Sequence, residues 1–343
     1  MEGRRWRRRV AELRSAPVDV GTFCAQSHVL VVAGKGGVGK TTMSAALARM
    51  AAQAGQSVLI VELEGKSGLG GAFGRSGDLG YEETILWGDP ARRGEGSVRG
   101  RRITPDDALV EYLEDHGLGR ISRRLARTGV LDVVSTAIPG IRDVLVLGKV
   151  KQLEVGRAAD LIVVDAPATG HAITFLTSAA GMVDAARGGP LRSQAQDVVE
   201  LLSDPARCRV ILDTLPEELP VSETIESAYT LEDKAGVQLG PVIVNACDPE
   251  PVGLGRPAAE VAAATGVTLA PGQVSALEEA REFRLARHAV SADQVARLVR
   301  ELPLPHLVVP VLDAPSIGPA ETAALARALA EGVGGLASDE VSP

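Results

Sequence analysis

Cysteine is nearly absent from the 343 residues: Cys24, Cys208 and Cys247 stand far apart and form no CxxC pair. That excludes a disulfide framework and a thiolate zinc knuckle, and it suits a reducing compartment. Methionine is scarce too, four including Met1, so the chain offers little of the soft apolar surface used by adaptable binding grooves. No run approaches the ~18 consecutive apolar residues of a membrane span, and no apolar stretch follows the opening arginines as in a signal peptide. A cytoplasmic location is the expectation. Positive charge is also in deficit, with a formal net charge of -8, which argues against a nucleic-acid coat. Aromatics make up only 3%, whereas hydrophobic residues reach 45% and glycines number 38. Such a chain can bury a sizeable core in one domain, and its many glycines suit the strand-to-helix turns of an α/β protein.

The opening run Arg4, Arg5, Trp6, Arg7, Arg8, Arg9, with Arg14, reads as a basic tail over residues 1–27. A solvated tail is one reading and contact with lipid headgroups or an acidic partner the other. Nothing else in the sequence supports a membrane contact. Residues 28–33 form a short, β-branched, apolar run typical of a strand covered on both faces. A helix over 41–54 and a second strand over 57–61, separated by Gly55, complete one βαβ unit. Residues 65–100, rich in Gly and Arg, read as a long mobile loop. Helical patterning then predicts an insertion over about 101–155 and a second helical stretch over about 170–204. Further strands are expected at 161–165, 210–213, 242–245 and 306–309, with helices between them and at 217–235, 275–302 and 321–329. This alternation predicts a doubly wound, mostly parallel sheet within one domain over 28–335, followed by a tail over 336–343. No internal repeat is visible.

Gly34, Lys35, Gly36, Gly37, Val38, Gly39, Lys40 and Thr41, followed by Thr42, match G-x-x-x-x-G-K-[ST] between a predicted strand and a predicted helix. Glycines let backbone N–H groups converge on phosphate oxygens, the helix N-terminus adds positive potential, and Lys40 neutralises terminal phosphates. Thr41 is placed to hold Mg²⁺ through its hydroxyl, and Asp165, closing the run Leu-Ile-Val-Val-Asp, to order the same ion through water. The expected ligands are therefore ATP and Mg²⁺, without zinc.

The string Lys35-Gly36-Gly37-Val38-Gly39-Lys40-Thr41-Thr42 resembles the deviant Walker A family of P-loop ATPases. That resemblance implies that Lys35 reaches the nucleotide of a partner subunit and that dimerisation, with a second copy or a paralogue, assembles the site. A lysine that merely adds charge beside the phosphates is the alternative. Asp165-Ala166-Pro167-Ala168-Thr169-Gly170-His171 looks like the switch II segment of the arsenite-pump ATPase and of the ATPase that targets tail-anchored proteins. Pro167, Thr169, Gly170 and His171 would then sense the γ-phosphate. His171, without other ligands nearby, fits a switch or structural role rather than a metal site. By the same resemblance Asn245 reads the adenine edge, and Pro310 and Val311 pack on the base. An Asn that only forms a turn is the plainer reading. Pro139-Gly140-Ile141-Arg142-Asp143-Val144-Leu145 is similar to a segment of the actinobacterial branch of the ArsA-like, anion-transporting ATPases. The family implies a P-loop fold of the SIMIBI type and a client that is a protein or a small anion.

Departures from the family are as informative. Where it carries Asp-Pro-Ala-His-Asn, this chain reads Glu64-Gly65-Lys66-Ser67-Gly68, which makes Glu64 the expected catalytic carboxylate beside Lys35, Lys40 and Asp165 and predicts slow or partner-dependent hydrolysis. Glu62 competes for that role. Asp89-Pro90-Ala91 repeats half of the missing motif but follows no predicted strand and reads as a turn. Four methionines and an insertion cut by Arg120, Arg123, Arg124 and Arg127 give no support to a tail-anchor groove. Two alternatives stand beside the ATPase switch: a ParA/MinD-like protein that binds membrane or DNA in its ATP state, and a nucleotide-binding subunit without meaningful turnover.

Overall fold

Aliphatic, β-branched runs too short for helices become strands when helices cover both faces of a sheet. Val29–Gly34 (β1) is such a run and is buried throughout; Ser57–Leu63 (β2), Leu161–Ala168 (β5) and Cys208–Thr214 (β6) are buried along most or all of their length. The computed structural model describes residues 18–63, 68–92, 94–115, 117 and 140–336. With Thr84–Gly88 (β3), Ser97–Ile103 (β4), Val242–Cys247 (β7) and His306–Pro310 (β8), the strands form one eight-stranded sheet. Its order is β3-β4-β2-β5-β1-β6-β7-β8, parallel throughout except for β3, which runs antiparallel to β4 at the edge. The doubly wound α/β fold is therefore as the sequence predicts.

Alternate residues of each strand serve two cores. Val29, Val31 and Ala33 face a layer built from Ile141–Val155 (α5), Thr169–Ala185 (α6), Pro190–Ser203 (α7) and Glu218–Ala235 (α8). Leu30 and Val32 face the opposite layer, made by Lys40–Gln53 (α2) and Pro319–Gly334 (α11). Val20–Ala25 (α1) joins that second layer: Asp19 caps it by accepting from Thr22 N at 3.0 Å, and Phe23 and Cys24 are buried. The described end of the expected basic tail is thus part of the packed body. The arginine run itself lies outside the described residues.

The expected mobile loop at 65–100 is corrected. It contains Leu69–Ala72 (α3), β3 and β4, and β4 lies inside the sheet beside β2. The strand Ser-Val-Arg-Gly-Arg-Arg-Ile hides from a hydrophobicity reading because its arginines find partners from elsewhere. Arg102 pairs with Glu62 and Asp78, Arg99 with Glu83, and the Arg101 guanidinium stacks 4.3 Å from the Tyr81 ring centroid. Gly96 abuts α2 so closely that a Cβ there would lie 1.9 Å from the Ala52 carbonyl oxygen. The helical insertion accordingly starts at Pro105–Asp115 (α4), since residues 101–103 still belong to β4. Asp89-Pro90-Ala91 is a turn, closed by Ala91 N donating to Asp89 Oδ1 at 3.0 Å. The helix expected from residue 275 is longer, Pro271–Glu301 (α10), and is preceded by an unforeseen short one, Ala258–Thr265 (α9). Arg120, Arg123, Arg124 and Arg127, the start of the run at Pro139 and the tail from residue 337 lie outside the described residues.

Candidate nucleotide site

Every predicted phosphate-binding residue lies between the end of β1 and the first turn of α2. Gly39 precedes that helix with φ +110°, a conformation that side chains avoid, and its carbonyl accepts the first helical bond from Met43 N at 2.9 Å. A Cβ on Gly39 would stand 2.3 Å from Asn245 Nδ2, and one on Gly34 would stand 2.2 Å from the Asp213 carbonyl oxygen. Both glycines are therefore demanded by close backbone approach. The helix begins without a side-chain cap, leaving its first N–H groups to an anion.

Lys40 is buried, and its Nζ donates to the Lys35 carbonyl oxygen at 2.7 Å, so the ammonium folds back over the loop it serves. The Thr41 hydroxyl donates to Asp165 Oδ2 at 2.7 Å, and Asp165 has no exposed surface. A hydroxyl and a carboxylate side by side at a phosphate-binding loop are the hard oxygen donors that Mg²⁺ takes, with phosphate and water completing its shell. Among the described residues no three His, Cys, Asp or Glu gather as a metal cluster. The Thr41 hydroxyl and the Asp165 carboxylate fit an ion whose remaining ligands come from a triphosphate and water.

Asp213 is a site residue that the sequence reading missed. It ends the run Val-Ile-Leu-Asp on β6, in register with Gly34 of the P-loop strand, and is fully buried. Burial pushes its pKa well above the usual carboxylate range; Lys40 opposes the shift and Asp165 reinforces it. The signal in the sequence was a lone acid terminating an apolar run parallel to the one that ends in Asp165.

Lys35 does not point freely into solvent. Its Nζ donates to Glu223 Oε1, 2.8 Å away in the first turns of α8, with both side chains about one third exposed. No sequence signal links residues so far apart in the chain. Glu62 is likewise engaged: Arg102 donates to Glu62 Oε2 through Nε at 3.2 Å and Nη2 at 3.0 Å. Burial raises the Glu62 pKa, and Arg102 opposes that shift. The Glu62 carboxylate is therefore held by a structural pair, while Glu64, with residues 65–67, lies outside the described residues.

Asn245 sits on β7 against the P-loop, donating from Nδ2 to the Val38 carbonyl at 2.8 Å and accepting from Ala246 N at 2.8 Å. This amide braces the loop. Pro310 ends β8, and Val311 N donates to the Cys247 carbonyl at 2.9 Å, which sets that segment beside Asn245. In the segment expected to act as a switch, Ala166 is buried and Pro167 and Ala168 complete β5. Thr169, Gly170 and His171 open α6 without a side-chain cap. His171 is exposed and lies near Asp143 of α5, whose pKa burial raises against the opposing influence of His171 and Arg142. The start of α6 thus adjoins α5, the last helix of the insertion. All three cysteines are free and buried; burial pushes the Cys24 and Cys208 thiols up to about 12 and Cys247 to about 11, which makes them poor nucleophiles and ligands.

Comparison with known proteins agrees with this geometry. Residues 27–186 match the anion-transporting ATPase family. The chain is 40% identical over 224 residues to the ATPase BagA of Mycobacterium tuberculosis, covering 63% of this chain and 64% of that protein. It is 29% identical over 147 residues to the ATPase get3 of Schizosaccharomyces japonicus, covering 43% of this chain and 42% of that one. The match therefore spans less than two thirds of either relative's length. Residues 27–186, which hold the glycine-rich loop and Asp165, are thus similar to the anion-transporting ATPase family of the ArsA type.

Proposed function

We propose that the protein binds ATP with Mg²⁺ in the P-loop and hydrolyses it as a dimeric switch. Closure of two copies, or of one copy on a paralogue, then drives binding or release of a client, a protein or a small anion, at the helices beyond β4. The reading rests chiefly on one contact, the 2.7 Å hydrogen bond from the Thr41 hydroxyl to the buried Asp165 carboxylate at the mouth of the loop. Magnesium, when held there, neutralises charge on the triphosphate. The chain's own residues do the rest. Loop N–H groups and the start of α2 orient the phosphates, and Lys40 exchanges the Lys35 carbonyl for a phosphate oxygen. Lys35 leaves Glu223 for the nucleotide of the partner copy. Pro167, Thr169, Gly170 and His171 pass the state of the γ-phosphate to α5 and α6.

Glu64 orients the attacking water in this scheme, because Glu62 is tied to Arg102. A glutamate where an aspartate is usual shifts the carboxylate by roughly one ångström, a displacement that costs on the order of a hundredfold in rate. Turnover is therefore slow or partner-dependent. Calorimetry with ATP and Mg²⁺, combined with steady-state phosphate release, tests this. Wild type binds and turns over slowly, Lys40→Ala loses affinity, and Glu64→Gln keeps affinity and loses turnover. Absence of magnesium-dependent ATP affinity in the intact protein refutes the reading, and equal turnover in Glu64→Gln removes Glu64 from it.

A further inference from the structure

A row of charge crosses the carboxyl edge of the sheet beside the P-loop. Arg102 on β4 is in register with Glu62 on β2, and Glu62 is in register with Asp165 on β5. Register partners on neighbouring parallel strands share a face. Here that face is the α2 layer, because Val98, Ile60 and Val163, an even number of residues before Arg102, Glu62 and Asp165, all pack there. Thr41, in the first turn of α2, ends the row with its hydrogen bond to Asp165 Oδ2.

Glu62 is 1% exposed and Asp165 has no exposed surface, so two buried acids stand on strands only about 4.8 Å apart. Like charges at that spacing disfavour one another. Burial works against an ionised Glu62, as does the Asp165 charge, and Arg102 works for it by donating from both Nε and Nη2 to Glu62 Oε2. The same guanidinium meets Asp78 on its outer side, at 3.5 Å. From β4 to β5 is two strand spacings, about 10 Å between backbones, and a long side chain on the shared face can extend over one strand toward the next. Glu62 occupies the strand between.

We infer that Glu62 and Arg102 are a positioning pair for the metal site: Glu62 intercepts the Arg102 cation, which leaves the Asp165 carboxylate to Thr41 and to Mg²⁺. Neither member touches the ion, and both act through Asp165. As a neutral pair they bring neither a second acid to repel Asp165 nor a cation to compete with the metal for it. The inference rests on the reading of Thr41 and Asp165 as the magnesium site.

The probe is Mn²⁺, whose electron paramagnetic resonance signal falls on binding, titrated onto the full-length chain with ADP so that no turnover intervenes. Wild type takes up Mn²⁺. Glu62→Gln releases Arg102 toward Asp165 and weakens uptake about fivefold or more, the scale of a unit charge moved by a few ångströms near a protein surface. Glu62→Gln combined with Arg102→Gln restores uptake to within about twofold of wild type, since the cation has gone as well. Arg102→Gln alone takes up Mn²⁺ at least as well as wild type. A pair that only held the strands together would give another order, with both single variants impaired and the double no better than the worse of them. ADP affinity in EDTA and circular dichroism, unchanged in all three variants, show that the loop and the fold persist. Equal uptake in Glu62→Gln and wild type, a double variant that does not recover, or weakened uptake in Arg102→Gln overturns the inference and leaves the magnesium site standing. A wild type that takes up no Mn²⁺ with ADP refutes the magnesium site itself, and the pair with it.

Discussion

Replacing Gly39 by alanine probes the P-loop where backbone and side chain constrain it together. The new Cβ would sit at φ +110° and 2.3 Å from Asn245 Nδ2, with Asn245 Cγ at 3.6 Å. Two costs follow. A non-glycine residue at that φ costs about 1–3 kcal/mol. Driving Asn245 away breaks its 2.8 Å hydrogen bond to the Val38 carbonyl, about 1 kcal/mol more. The expected loss is about 2–4 kcal/mol, well short of unfolding a typical domain of 5–15 kcal/mol. Urea denaturation measures it. ATP affinity should fall by about tenfold or more, because a displaced loop forfeits at least one phosphate contact of about 1.4 kcal/mol. The decisive comparison repeats Gly39→Ala in an Asn245→Ala background. The hydrogen bond is already gone there and the clash is relieved, so the added cost should shrink by about 1 kcal/mol. An identical cost in both backgrounds, or a loss below about 0.5 kcal/mol in the first, refutes the argument.

Glu223→Gln releases Lys35 from its cis partner and should favour the ATP-bound dimer by a few-fold, since a pair about one third exposed is worth about 1 kcal/mol or less; light scattering against ATP concentration reads this, and an unchanged midpoint sinks it. Glu154 tests pH linkage. Burial alone would raise its pKa, but Arg207 and His28 outweigh burial and hold it below the ordinary 4.5, so its contribution is present above that value and lost as the pH falls through the lowered one. Glu154→Gln should cost about 2 kcal/mol at neutral pH and flatten the acid limb of the stability curve, whereas a parallel offset at every pH contradicts the linkage. Gly96→Ala places a Cβ 1.9 Å from a backbone oxygen of α2 at φ +72° and should lower stability by about 3 kcal/mol or more in thermal melts; a neutral outcome would remove β4 from the position described.

The glycine-rich loop, the central strands and the passage from β5 to α6 were legible because their signals are local. A glycine string fixes its own curvature, and an unbroken aliphatic run can only be a strand covered on both faces. Strand β4 was illegible for the opposite reason. Arg99, Arg101 and Arg102 read as solvent-loving until Glu83, Tyr81 and Glu62 arrive from other segments to stack on or neutralise them. Helix α1 fell inside what read as a charged tail because a six-residue helix has no period to detect; only its packing against the α2 layer reveals it. The contact of Asn245 with the Val38 carbonyl was illegible for a similar reason, since the sequence offers an amide at a strand end and the fold decides which carbonyl it meets.

By itself the sequence determined that a glycine-rich loop joins a buried strand to a helix and that an apolar strand ends in Asp165, since loop conformation and strand formation depend on neighbours in the chain. Only the tertiary structure decided the fate of the charges: Lys35 on Glu223, Glu62 on Arg102, and Asp213 buried beside Lys40 and Asp165. The energy of a charge is set by burial and by partners brought from distant segments, and neither is written in the residues beside it.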